Sequence, residues 1–129
     1  MSEEAKKIFE ALLKHSYVVF KQAEEHIDKM TIFDQNQILD GLYQDVVSDE
    51  KYDKNKMRFF LLWGGLNEQL QENTIKYCEN LSSKSISISH VPYFEAFYVE
   101  CKKNEEMHKI LERWKNENSM LKKAIDEFL

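Results

Sequence analysis

Residues 58–70 read RFFLLWGGLNEQL. Phe59, Phe60, Leu61, Leu62, Trp63, Leu66 and Leu70 cover nearly the whole circumference of a helical projection. A helix apolar on nearly every side is one surrounded by other helices. Two adjacent glycines, Gly64 and Gly65, interrupt it where alanine or leucine would serve a helix better. A phosphate-cradling loop would need a lysine after its last glycine and a strand before its first, and neither is present. Each glycine costs about 1 kcal/mol of helix propensity relative to alanine. The pair therefore marks a close approach to the backbone, by a neighbouring helix or by a bound chain. With Asp53 as cap, the pattern predicts a central helix from Lys54 to about Gln71.

Working outward, the same logic predicts helices on both sides. Ala5, Ile8, Phe9, Leu12 and Leu13 recur at helical spacing behind a Ser2 cap, with Glu3 and Glu4 in the first turn. Ser16 reads as a second cap before Val19, Phe20, Ala23 and Ile27. Thr31 or Asp34 caps a third helix carrying Ile38, Leu39, Leu42, Val46 and Val47, and residues 48–55, SDEKYDKN, form a polar connection. Beyond the centre, a short fifth helix is expected over Thr74–Leu81. The serine-rich stretch at 82–90, SSKSISISH, alternates like a strand but has no partner strand, so it reads as an exposed loop. Pro92 opens a sixth helix running to about Lys102. A seventh, Glu105–Asn116, turns Ile110, Leu111 and Trp114 inward. Asn118 or Ser119 caps an eighth with Leu121, Ala124, Ile125 and Phe128. The expectation is an all-α domain of about eight helices, in a superhelix or irregular bundle.

Composition agrees. The 129 residues fit one domain, and only three Gly and one Pro leave too few breakers for a sandwich or barrel. No apolar run approaches the roughly 20 residues of a membrane span. The opening MSEEAKKIFEALLKH is charged and amphipathic without a secretion-signal core, and Cys78 and Cys101 read as reduced structural thiols of a cytosolic or nuclear protein. Net charge is −5, concentrated in residues 1–50, where 5 Lys face 11 Asp and Glu. Such an acidic chain is a poor general binder of nucleic acid, which requires phosphate neutralisation.

Motifs for chemistry are sparse. Glu105 and His108 form one ExxH, a spacing that di-iron bundles use twice. His15, His26 and His90 all lack a Glu three positions earlier, so no metal site and no cofactor are expected. No nucleophile elbow, HExxH or CxxC occurs, and an enzyme is not expected.

The order of elements carries a resemblance. HSYVVFKQAEEHIDKM (15–30), QILDGLYQDVV (37–47), KMRFFLLWGGLNEQLQEN (56–73) and HKILERWKNENSMLKKAIDEFL (108–129) together resemble the CTD-interacting domain, which reads the phosphorylated heptad tail of RNA polymerase II. The resemblance covers nearly the whole chain in layout and is most specific in the fourth helix and the last third. It implies a right-handed superhelix of eight helices, a nuclear, monomeric and non-enzymatic peptide reader, and a role coupling transcription to RNA processing or termination. The family's fourth-helix motif, aligned on Lys56, places Leu61 at its usual tyrosine and Gly64 at its usual aspartate or asparagine. A second register sets Asn67 and Glu68 there instead. The groove cation of the family's seventh helix corresponds to Lys109, five positions before Trp114, with Arg113 one turn on. A phosphoserine, carrying close to two negative charges, suits such a cation. The resemblance also brings Lys21 and Gln69 to the groove, and lets Gly64 admit a peptide backbone or a neighbouring helix. The rival readings are a trafficking adaptor similar to VHS and ENTH domains, and a helical scaffold with a vestigial groove.

Overall fold

The computed structural model describes residues 1–14, 16–49 and 53–129. The fold is all-α. Among the described residues there are eight α-helices: α1 (Glu3–Leu13), α2 (Tyr17–His26), α3 (Ile32–Ser48), α4 (Lys54–Gly64), α5 (Glu68–Asn80), α6 (Val91–Glu100), α7 (Glu105–Glu117) and α8 (Ser119–Asp126). No strand occurs among them. Part of the expected polar connection at 48–55, and His15, lie outside the described residues.

The helix starts are fixed by side-chain caps. Ser2 Oγ accepts from the Ala5 N–H at 3.1 Å and Ser16 Oγ from that of Val19 at 3.3 Å. Thr31, rather than Asp34, caps α3: its Oγ1 accepts from the Asp34 N–H at 3.1 Å. Asp34 is engaged elsewhere, accepting from the Ser2 N–H at 3.1 Å and so tying the chain start to α3. Asp53 Oδ1 accepts from Asn55 at 2.9 Å, and Asn104 and Asn118 cap α7 and α8. Each such cap contributes about 1 kcal/mol.

Two expectations need correction. The helix expected over Lys54–Gln71 is two helices. It ends at Gly64; the Gly65 N–H bonds back to the carbonyls of Leu61 and Leu62, and Asn67 then caps a new helix through the Leu70 N–H at 2.9 Å. The fifth helix therefore begins at Glu68, six positions before Thr74, and Gln69 belongs to it. Apolar spacing alone missed the break because Leu62, Leu66 and Leu70 keep a four-residue step straight across it. The second correction concerns residues 82–90. They form two 3₁₀ turns packed on the protein, with Ser83, Ile86 and His90 buried. The α7–α8 junction supplies their partners: Ser83 Oγ bonds Glu117 at 3.2 Å, and the Asn118 amide donates to the Ser83 carbonyl at 3.0 Å. Burial holds the His90 imidazole pKa down, and its Nδ1 accepts from the Ser87 N–H at 3.1 Å.

One core draws on all eight helices, among them Ala5, Phe20, Ile38, Phe60, Leu70, Phe94, Trp114 and Leu121. Helix α4 lies against α3, α5 and α6, whereas α7 lies against α5 and α8.

Helix α6 ends in a left-handed turn without glycine. Lys102 and Lys103 have φ of 55° and 54°. The Lys103 N–H reaches the Tyr98 carbonyl and the Lys102 N–H that of Val99, both at 2.9 Å, which is the Schellman arrangement. A side chain there is strained by about 1–2 kcal/mol, a strain that glycine lacks. Lys102→Gly is expected to stabilise the fold by about 1 kcal/mol. A rise of a few degrees in thermal midpoint checks it; an unchanged or lower midpoint contradicts it.

Candidate functional site

A groove of about 300 Å³ lies between α2, α4 and α6. Each helix contributes a stripe at i, i+3, i+4 and i+7, the spacing that places four side chains on one face. From α2 come Tyr17, Phe20, Lys21 and Glu24; from α4 and its C-terminal cap, Arg58, Leu61, Leu62 and Gly65; from α6, Tyr93, Ala96, Phe97 and Glu100. Phe20, Leu61 and Phe97 are buried and form the floor. Leu62, Leu66 and Tyr93 are half-buried and face the opening. Phe20 reaches past the floor to Phe59, ring centroids 6.2 Å apart, and this contact fixes α2 on α4.

The rim is charged. Lys21 Nζ pairs with Glu24 at 3.3 Å and lies 5.7 Å from the Tyr17 ring centroid. The hydrogen bond and charge of Glu24, with a lesser effect of Tyr17, raise the Lys21 pKa. Arg58 also lies over this ring, its guanidinium carbon 4.7 Å from the same Tyr17 centroid. At the far end of the α4 stripe Gly65 faces Glu100: a Cβ built on Gly65 would sit 3.4 Å from Glu100 Cγ. The groove thus has an arginine–tyrosine end and a carboxylate end, with apolar side chains between. Such a site holds an apolar anchor and orients the charges beside it. No family model, curated protein or solved structure matches this chain significantly.

Of the five residues singled out from the sequence, Lys21 lines this groove. Gly64 lies behind it, buried between α4 and α5, where a Cβ would come within 2.8 Å of Thr74 Cβ and Cγ2. Its surroundings are those of close helix packing. Gln69 is exposed on α5. Lys109 is exposed on α7, 3.9 Å from Glu106. Arg113 donates to the Glu79 carbonyl at 3.1 Å and pairs with Glu117 at 3.6 Å. Lys109 and Arg113 therefore share a face of α7 beside α5, next to a shallow depression lined by Glu68, Glu72, Glu79 and Glu106. Arg58, Tyr17 and the α6 stripe make the groove, and Arg58 was not among the sequence candidates. Its only sequence signal was a cation opening an otherwise apolar i, i+3, i+4 face.

A larger cavity of about 670 Å³ separates the α3–α4 corner from residues 80–90. Of its two lining lysines, Lys56 is already neutralised, lying 3.3 Å from both Asp45 and Asp49, and Lys84 is exposed. Burial lowers the Lys56 pKa, but hydrogen bonds to those two carboxylates outweigh it and the net shift is upward. Among the described residues no three His, Cys, Asp or Glu come together in a way that could hold a metal ion. His108 is bonded to the Tyr98 hydroxyl at 3.0 Å and lies 3.4 Å from Glu112. No described helix is long and apolar enough to cross a membrane.

Proposed function

We propose that this chain is a non-enzymatic peptide-binding module, built as a right-handed helical superhelix, whose peptide lies between α2, α4 and α6. The occupant assigned to it is the phosphorylated heptad tail of RNA polymerase II, which makes the protein a nuclear one. The observation that carries the reading is the groove itself: three helical stripes meet in an apolar floor bordered by Tyr17, Lys21 and Arg58. An apolar trough with a cationic edge complements a peptide that pairs apolar side chains with phosphoserine. The resemblance to CTD-interacting domains adds the choice of peptide. Packing of each helix on its near neighbours in sequence, α1 on α2 and α3, then α3 on α4, suits a superhelical path.

Fluorescence anisotropy with two-repeat tail peptides tests it, using unmodified peptide and peptides phosphorylated at the second or fifth serine. Saturable, phosphate-dependent binding is expected. Ala96 is exposed on the α6 wall, so Ala96→Trp fills the groove without touching the core. It is expected to weaken binding at least about tenfold, or about 1.4 kcal/mol, while helical circular dichroism is unchanged. Flat titrations for every peptide at high micromolar protein would remove the polymerase tail as ligand.

A further inference from the structure

We propose that Arg58, held on the Tyr17 ring, is the anion seat of the groove, and that it takes an acidic residue of the occupying peptide lying beside an apolar anchor, in one direction only. This rests on the groove being the peptide site.

Several basic groups near the groove or on α7 are already engaged. Lys21 pairs with Glu24, Lys109 with Glu106, and Arg113 with Glu117 and the Glu79 carbonyl. Arg58 differs. It is half-buried, and among the described residues no carboxylate lies within ion-pairing distance of it. Its guanidinium carbon lies over the Tyr17 ring, 4.7 Å from the centroid. The ring holds the cation by cation–π attraction without using its N–H donors, so the guanidinium fork can take an anion in bidentate fashion. Arg58 thus presents donors at the rim of an apolar floor, whereas Lys109 and Arg113 already lie against Glu106 and Glu117. Direction follows from the other end. Arg58 and Gly65 lie seven residues apart on α4, about 10 Å along the helix, and Gly65 faces Glu100. An acidic group is attracted at one end and repelled at the other. The shared ligand chemistry is an oxyanion, from phosphoserine or from glutamate.

The test uses the full chain and NMR signals of the Arg58 side-chain Nε–H and the Tyr17 ring, with three probes: phenyl phosphate, 3-phenylpropionate and benzyl alcohol. Phenyl phosphate is expected to shift both signals saturably, phenylpropionate more weakly, and benzyl alcohol to leave Arg58 unmoved. Arg58→Gln is expected to lose about tenfold or more of the affinity for phenyl phosphate, while Lys109→Glu retains it. Shifts centred on Lys109 and Arg113, or an Arg58→Gln protein that binds as before, would overturn the proposal. The two readings fail separately. Tail peptides that bind with no dependence on Arg58 leave the module reading standing and remove the anion seat. Phenyl phosphate held by Arg58 with no binding of tail peptides does the reverse for the polymerase tail.

Discussion

Gly64→Asp is expected to cost more than about 4 kcal/mol of stability, enough to unfold much of a domain of ordinary stability near body temperature. The substitution introduces the residue type that the resemblance to CTD-interacting domains would place here, so from the resemblance alone a gain in peptide binding would be expected. The packing dictates otherwise. A Cβ at Gly64 would meet Thr74 Cβ and Cγ2 at 2.8 Å and its Oγ1 more closely still. Rotating Thr74 does not help, because its Cβ is itself too near. Its hydroxyl is also committed to the Leu70 carbonyl at 2.7 Å, in a side chain with no exposure. Helices α4 and α5 must separate, and overpacking of this kind costs about 1–3 kcal/mol before any charge is considered. The carboxylate then adds the cost of burying an anion. Backbone freedom is not the reason for the glycine, because no glycine here has positive φ. Urea denaturation of Gly64→Ala, Gly64→Asp and Gly64→Ala/Thr74→Gly separates the effects. The alanine should fall in the lower range, the aspartate well beyond it, and the double variant should recover part of the alanine loss. A Gly64→Asp protein with the parent's midpoint would show that the two helices are not in contact at this point.

That position also shows what the sequence carried and what it withheld. The glycine pair signalled a close approach, but two neighbours satisfied the signal equally: another helix or a ligand. Only the path of α5 back over α4 decides between them, and that path depends on Asn67 starting a new helix. The cap itself was visible, as Ser2, Ser16 and Asp53 were, yet the four-residue step from Leu62 to Leu70 concealed it. The groove is a similar case. Each of its three stripes has helical spacing and could be read from the sequence one at a time. Which three stripes face each other is a property of tertiary packing that periodicity does not encode. Lys109 and Arg113 were legible as neighbouring cations on α7, but α7 packs on α5 and α8, so they sit beside acidic residues of α5. Arg58 has the opposite problem: after Lys54 and Lys56 it reads as one more solvent-facing cation of the first turns of α4, and its significance comes from Tyr17, 41 positions earlier in sequence.

Gln35→Leu is expected to destabilise the fold by about 2–3 kcal/mol, although it roughly keeps the volume and adds apolar surface to a buried site. Gln35 is 6% exposed, on α3. Its amide nitrogen donates to the carbonyls of Ile27 at 2.8 Å and Met30 at 3.2 Å, closing the turn that follows α2. Its side-chain oxygen accepts from the Asn67 amide at 2.9 Å, and its main-chain oxygen accepts from Trp63 Nε1 at 3.0 Å. One residue thus joins the end of α2, α4 and the start of α5 to α3. Leucine would strand the Met30 carbonyl and the Asn67 amide, each costing about 1–3 kcal/mol where water cannot reach it, while the Ile27 carbonyl keeps its bond from the Met30 N–H at 3.1 Å. Met30 and Asn67 are half-buried and recover part of that from solvent, which holds the sum below its upper limit. Trp63→Phe removes the donor to the Gln35 main chain but also shrinks a fully buried ring, so its cost of about 1–3 kcal/mol combines a lost bond with a cavity. The local consequence distinguishes this hub from ordinary core packing. Asn67 uses its oxygen to cap α5 through the Leu70 N–H, so losing its tie to Gln35 frees the cap to rotate. Amide exchange at Leu70 and Gln71 should then accelerate more than exchange in α7, which touches none of these groups. The same first turn follows Gly65 and Leu66 directly, so peptide affinity should fall in Gln35→Leu even where the protein remains folded. Stability within about 1 kcal/mol of the parent, with α5 exchange unchanged, would show that the stranded groups find other partners and that the hub does not hold the groove.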